Sequence, residues 1–73
     1  MEKIFETKNG SVLYYDGIQR KLYARNCTIQ DIMESLEEDA ESTDIVSSMM
    51  AKDLLEDIAL LGGIRTLSGS RLN

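Results

Sequence analysis

Two turn dipeptides fix the layout of the first third of this chain. Asn9-Gly10 and Asp16-Gly17 both tolerate the positive φ values that tight hairpin turns need. They separate Lys3–Lys8, Ser11–Tyr15 and Ile18–Arg25, each a short segment rich in β-branched and aromatic residues. The spacing predicts a three-stranded antiparallel β-meander. As two-residue loops, the turns also set a register: Tyr15 opposite Ile18, Leu13 opposite Arg20, Phe5 opposite Tyr14, and Ile4 opposite Tyr15.

Strand alternation then sorts the side chains onto two faces. Ile4, Glu6, Leu13, Tyr15, Ile18, Arg20, Leu22 and Ala24 form the more aliphatic face, which is expected to pack on helices. Phe5, Thr7, Val12, Tyr14, Gln19, Lys21, Tyr23 and Arg25 form the other. Aromatic residues interleaved with basic ones on an open sheet are how single-stranded nucleic acid is stacked and steered. Phe5, Tyr14, Lys21, Tyr23 and Arg25 are therefore the candidate residues for that chemistry. The same aromatics also suit ordinary packing or an oligomer contact, because β propensity favours them on any sheet.

The second half changes periodicity. Ile29, Ile32, Met33, Leu36 and Ala40 recur at the spacing of one helical face. Thr28 is the expected N-cap, with Asp31 in the reciprocal position three residues on and Cys27 and Ile32 placed for a hydrophobic staple. The helix should end near Ala40–Glu41, before a Ser-Thr-Asp loop. A second helix, capped by Thr43 or Asp44, should run to Leu61 and stop at Gly62-Gly63-Ile64. Its apolar residues exceed one face. Met50, Ala51, Leu54, Leu55, Ile58 and Leu61 make a broad stripe, while Ile45, Met49 and Leu60 fall on the opposite side. Ile64–Leu67 offers a short strand at the sheet edge. The fold class is α+β in the order βββαα, with residues 1–67 as one domain and residues 68–73 as a flexible tail.

Charge is divided as sharply as periodicity. Residues 1–27 hold three acids and five bases, whereas residues 28–64 hold ten acids against Lys52 alone. Glu34, Glu37, Glu38 and Glu41 share the outer face of the first helix with no cation to pair them. Their i,i+4 spacing is mildly repulsive, and Glu38, Asp39 and Glu41 crowd the negative end of the helix dipole. Such departures from local preference are sometimes functional. A surface of this kind is built to meet a basic or amphipathic partner.

Size narrows the classes further. A chain of 73 residues buries only about 60% of its unfolded surface, and small domains usually gain extra stability from a disulfide, a metal or another subunit. Cys27 is the single cysteine and there is no histidine, so a disulfide within the chain and a structural zinc site are both excluded. Self-association is the remaining route, and Ile45, Met49 and Leu60 or the aromatic sheet face would serve it. The carboxylate-rich segment 37–44 lacks the glycine and ligand spacing of a calcium loop. No catalytic motif can be assembled, so the chain is not expected to be an enzyme or to carry a cofactor. Met1–Phe5 does not read as a targeting segment, and no apolar run approaches the ~20 residues that span a bilayer. The expected function is a small cytoplasmic binding protein, an inhibitor, adaptor or nucleic-acid mimic, that docks on a basic protein. The alternatives are a dimeric nucleic-acid-binding regulator and a self-assembling structural protein.

Overall fold

The computed structural model describes residues 1–67; the expected tail, 68–73, lies outside the described residues. Strands β1 (Glu2–Glu6), β2 (Val12–Asp16) and β3 (Lys21–Ala24) form the meander. A 3₁₀ turn (Asn26–Thr28) leads into α1 (Ile29–Ala40), followed by α2 (Ile45–Leu60) and β4 (Ile64–Thr66). The sheet order is β1-β2-β3-β4. The first two pairings are antiparallel and β4 joins β3 in parallel, so the sheet is mixed. The α+β class, the element order and the edge strand are as expected.

The hairpins are longer than two-residue loops. In the first, Thr7 and Ser11 close the ladder around Lys8-Asn9-Gly10, with Thr7 N–H donating to Ser11 C=O at 2.8 Å. Gly10, at φ +92°, takes the left-handed position that lets the strands meet without splaying. The odd loop shifts the expected register by one, so Phe5 pairs with Leu13 and turns to the helix side. A bulge between Lys3 and Phe5 then restores the other parity, placing Lys3 opposite Tyr14. Ile4 and Phe5 both pack against the core as a result.

In the second hairpin the Asp16 carboxylate accepts from the Ile18 and Gln19 amides at 2.9 and 3.1 Å, and Arg20 N–H donates to Asp16 C=O at 2.7 Å. That loop contains residues 17–20, so Tyr15 faces Leu22 and Tyr14 faces Tyr23 rather than the expected partners. The shift is an even number of residues, and Leu13, Tyr15, Leu22 and Ala24 keep their expected face. Ile18 does not: it sits on the loop and is 96% exposed.

The core joins Leu13, Leu22 and Ala24 of the sheet to Ile32 and Leu36 of α1 and Ala51 and Ile58 of α2. Thr28 does not cap α1. The chain enters through the 3₁₀ turn, Thr28 already has helical φ and ψ, and its hydroxyl donates back to Arg25 C=O at 2.8 Å. Cys27 is exposed, so the expected staple to buried Ile32 does not form.

Asp44 is the cap of α2, its carboxylate accepting from the Val46 and Ser47 amides. The other end closes as expected. Gly62, at φ +88°, lets the Gly63 amide reach Ile58 C=O at 2.7 Å and its own amide reach Ala59 C=O at 3.4 Å. The stripe of α2 that faces the core keeps Ala51, Leu54, Leu55, Ile58 and Leu61 as expected, but Ser48 joins it in place of Met50. Ser48 is buried and donates to Ala40 C=O at 2.8 Å, while Met50 is 61% exposed. The hydroxyl locks α2 to the end of α1, which turns Met50 away from the centre.

Candidate binding surfaces

Asp31 belongs to the scaffold. Its carboxylate accepts from Ser11 Oγ at 2.6 Å, Thr7 Oγ1 at 2.7 Å and Asn9 Nδ2 at 2.9 Å. The hydrogen bonds from Ser11, Thr7 and Asn9, in that order, hold its pKa below the ordinary 3.8. One side chain thereby ties the first turn of α1 to the β1–β2 loop. The sequence signal for this was weak: three polar residues around a turn, about twenty positions from an acid.

Glu34, Glu37, Glu38 and Glu41 are all exposed along α1. Glu34 accepts from Gln30 Nε2 at 2.9 Å. Among the described residues the ion pair present joins Lys3 and Glu6 at 3.0 Å, and these four carboxylates have no cation within pairing distance. The exposed surface continues without a break from Glu41 to Val46, through the α1–α2 turn. There Ile45 is 71% and Met49 61% exposed, and Val46 beside them is exposed too. Leu60 is also exposed, but it lies at the far end of α2. It borders a cavity of about 360 Å³ lined by Ile4, Tyr15, Arg20, Leu22, Asp57 and Leu61. Ile45 thus follows the carboxylates directly along the chain, Met49 lies one turn further into α2, and Leu60 is at the opposite end of that helix.

The sheet face turned away from the helices carries a row set by register. Lys3, Tyr14, Tyr23 and Arg65 stand side by side across all four strands. Lys21 and Val12 flank the row at alternate positions of their strands. Arg25 joins Val12, Tyr14, Gly10 and Thr28 around a concave space of about 280 Å³. Phe5, expected on this face, is on the other side, bordering a small cavity with Met50, Ala51 and Leu54. Arg65 and Lys3 take its place. Alternation alone puts Lys3 on this face, but the bulge sets it opposite Tyr14, and the parallel pairing of β4 brings in Arg65.

Among the described residues no group of histidine, cysteine, aspartate or glutamate is placed to hold a metal ion, and no helix is long and apolar enough to cross a membrane. Comparison with protein-family models, curated proteins and solved structures returns no match to this chain.

Proposed function

We propose that this chain is a small cytoplasmic binding protein, a regulator that docks on a partner with a basic surface. The observation that carries the proposal is the exposed set Glu34, Glu37, Glu38 and Glu41, unpaired among the described residues, followed along the chain by exposed Ile45 at the start of α2 and Met49 one turn into it. Carboxylates on one helical face steer encounter and set orientation, while a few desolvated apolar anchors supply most of the affinity. Methionine suits that role because its unbranched, polarisable side chain adapts to the opposing surface. If the partner's basic surface normally holds nucleic acid, the helix-borne carboxylates occupy phosphate positions and the protein acts as a mimic. The exposed apolar residues of α2, Leu60 included, also favour self-association into a dimer when no partner is present.

The test is affinity capture from native cells at low and high salt, with wild type beside a Glu34/Glu37/Glu38/Glu41→Lys variant. The expected result is a basic protein captured at low salt, weakened at high salt and lost with the reversals. Capture unaffected by the four reversals would remove the acidic face from the mechanism.

A further inference from the structure

The molecule has a second charged surface, opposite in sign and on the other side of the sheet. Its composition differs from the helical surface in one important way: cations there border aromatic rings. Tyr14 and Tyr23 are direct cross-strand neighbours on the two central strands. Arg65 flanks Tyr23 through the parallel β3–β4 register, and Lys3 flanks Tyr14 through the β1–β2 register. With strands ~4.8 Å apart, the row of four spans about 14 Å. Lys21 lies two residues from Tyr23 along β3, and Arg25 reaches the concave space beside Tyr14.

The acids that the register places on this face, Glu6 opposite Val12 and Asp16 opposite Lys21, are already engaged. Glu6 pairs with Lys3, and the Asp16 carboxylate accepts amides of its own loop. No carboxylate among the described residues lies within pairing distance of Lys21, Arg25 or Arg65. Three free cations around two adjacent aromatic rings call for a ligand with negative charge and a flat π-face in the same repeat. A polyanion alone would leave the rings unused, and an apolar partner would leave the cations desolvated and unpaired.

We propose that this face binds a short stretch of single-stranded nucleic acid. Bases stack on Tyr14 and Tyr23, Lys21, Arg25 and Arg65 hold phosphates, and the hollow edged by Val12, Gly10 and Thr28 receives the nucleotide next to Tyr14. A duplex is rejected because its base faces are hidden in its own stack. The net charge of −5 opposes approach at long range. The excess negative charge lies mainly on α1, however, which packs on the opposite side of the sheet; Asp31 there is engaged by the β1–β2 loop, and Glu38 and Asp39 border Phe5–Lys8. Exposed charges farther away than the Debye length of ~8 Å at physiological ionic strength are screened. This surface is separate from the acidic one, and the inference does not depend on the docking proposal.

The experiment is fluorescence anisotropy of the whole chain with a labelled twelve-nucleotide thymidine strand, its duplex with a deoxyadenosine strand, and heparin as a polyanion without bases. The single strand should bind, and the duplex should bind at least tenfold more weakly. Three phosphate contacts predict a log–log salt slope of about −2. Tyr14→Leu and Tyr23→Leu should each weaken single-strand binding about fivefold or more, whereas Tyr14→Phe and Tyr23→Phe, which keep the ring and the packing, should retain it. The Phe variants guard against loss through misfolding. Reversing the α1 glutamates should leave this binding intact or tighten it, which separates its outcome from that of the docking proposal. Heparin binding equal to that of the strand, with no effect of Tyr→Leu, would overturn the stacking site and leave a plain polyanion patch. Absence of strand binding, together with a dimer in light scattering that Arg65→Ala and Tyr23→Leu dissolve, would instead make this face a contact between copies.

Discussion

Helices α1 and α2 contribute to one core, yet their outer faces differ in kind. Helix α1 is strictly two-sided: Ile32 and Leu36 are fully buried and glutamates cover the far side. Helix α2 buries Ser48, Ala51 and Ile58 but exposes Ile45, Val46, Met49, Met50 and Leu60. Water accounts for the outside of α1 as a solvated face. It does not account for the outside of α2, where large apolar side chains stay mostly exposed among the described residues. The difference locates the burial that a 73-residue domain cannot complete alone. The sharpest way to break the comparison is to truncate one leucine from each helix. Leu36→Ala should cost about 2–5 kcal/mol, from lost transfer energy and the cavity left behind. Leu60→Ala should stay within about 0.5 kcal/mol in the dilute monomer. Urea midpoints measure both. A comparable loss at Leu60 would mean that α2 already uses that face.

What the residues disclosed in advance follows the same division between local and distant causes. The Asn9-Gly10 turn, the α1 apolar stripe and the glycine stop of α2 are governed by neighbours within a few positions, and they formed where expected. The face shared by Leu13, Tyr15, Leu22 and Ala24 survived a register error because the second loop added an even number of residues. Phe5 changed sides because the first loop was odd. The Thr28–Asp31 pairing looked like a capping box, but Asp31 was claimed by Thr7, Asn9 and Ser11. Hydrophobicity alone ranked Met50 above Ser48, and only the Ala40 carbonyl reverses that order. Among the candidate binding residues, the glutamates and Ile45 and Met49 were legible as a pattern on helical wheels. Tyr14 and Tyr23 were legible too, by strand alternation; their extension into one row by Lys3 and Arg65 was not, since it depends on a bulge and on a parallel strand from the far end of the domain.

The N-termini of the two helices sharpen the contrast at a smaller scale. Asp44 caps α2 locally, and Asp44→Ala should cost about 1 kcal/mol. Asp31 anchors α1 to the sheet, and its pKa is lowered by the hydrogen bonds it accepts. A lowered carboxyl binds fewer protons folded than unfolded. Its contribution is therefore complete above the ordinary value and is lost as pH falls through the folded one. Asp31→Asn should destabilise the protein at pH 6, and the gap from wild type should close on acidification below about pH 4. Denaturation at a series of pH values measures it. A constant gap would assign the effect to packing of the hydrogen-bonded side chains instead of the charge.

The smallest expected effect bears most directly on why α1 looks as it does. Glu34 stands four residues before Glu38, and Glu37 four before Glu41. Reversing only the later two, Glu38→Lys with Glu41→Lys, converts two like-charge pairs into two Glu-to-Lys pairs in the favourable orientation. It also places two cations at the negative end of the helix dipole. Together these should stabilise the fold by about 0.5–1 kcal/mol, read as a higher urea midpoint with unchanged helical circular dichroism. Loss of stability would show that the native carboxylates make contacts worth more than their repulsion. A stabilised variant that no longer captures the basic partner would mean that α1 holds its acids against local preference for the sake of binding. A stabilised variant that still captures it at full strength would place recognition on the apolar face of α2 alone, and leave the charge on α1 with no role in docking.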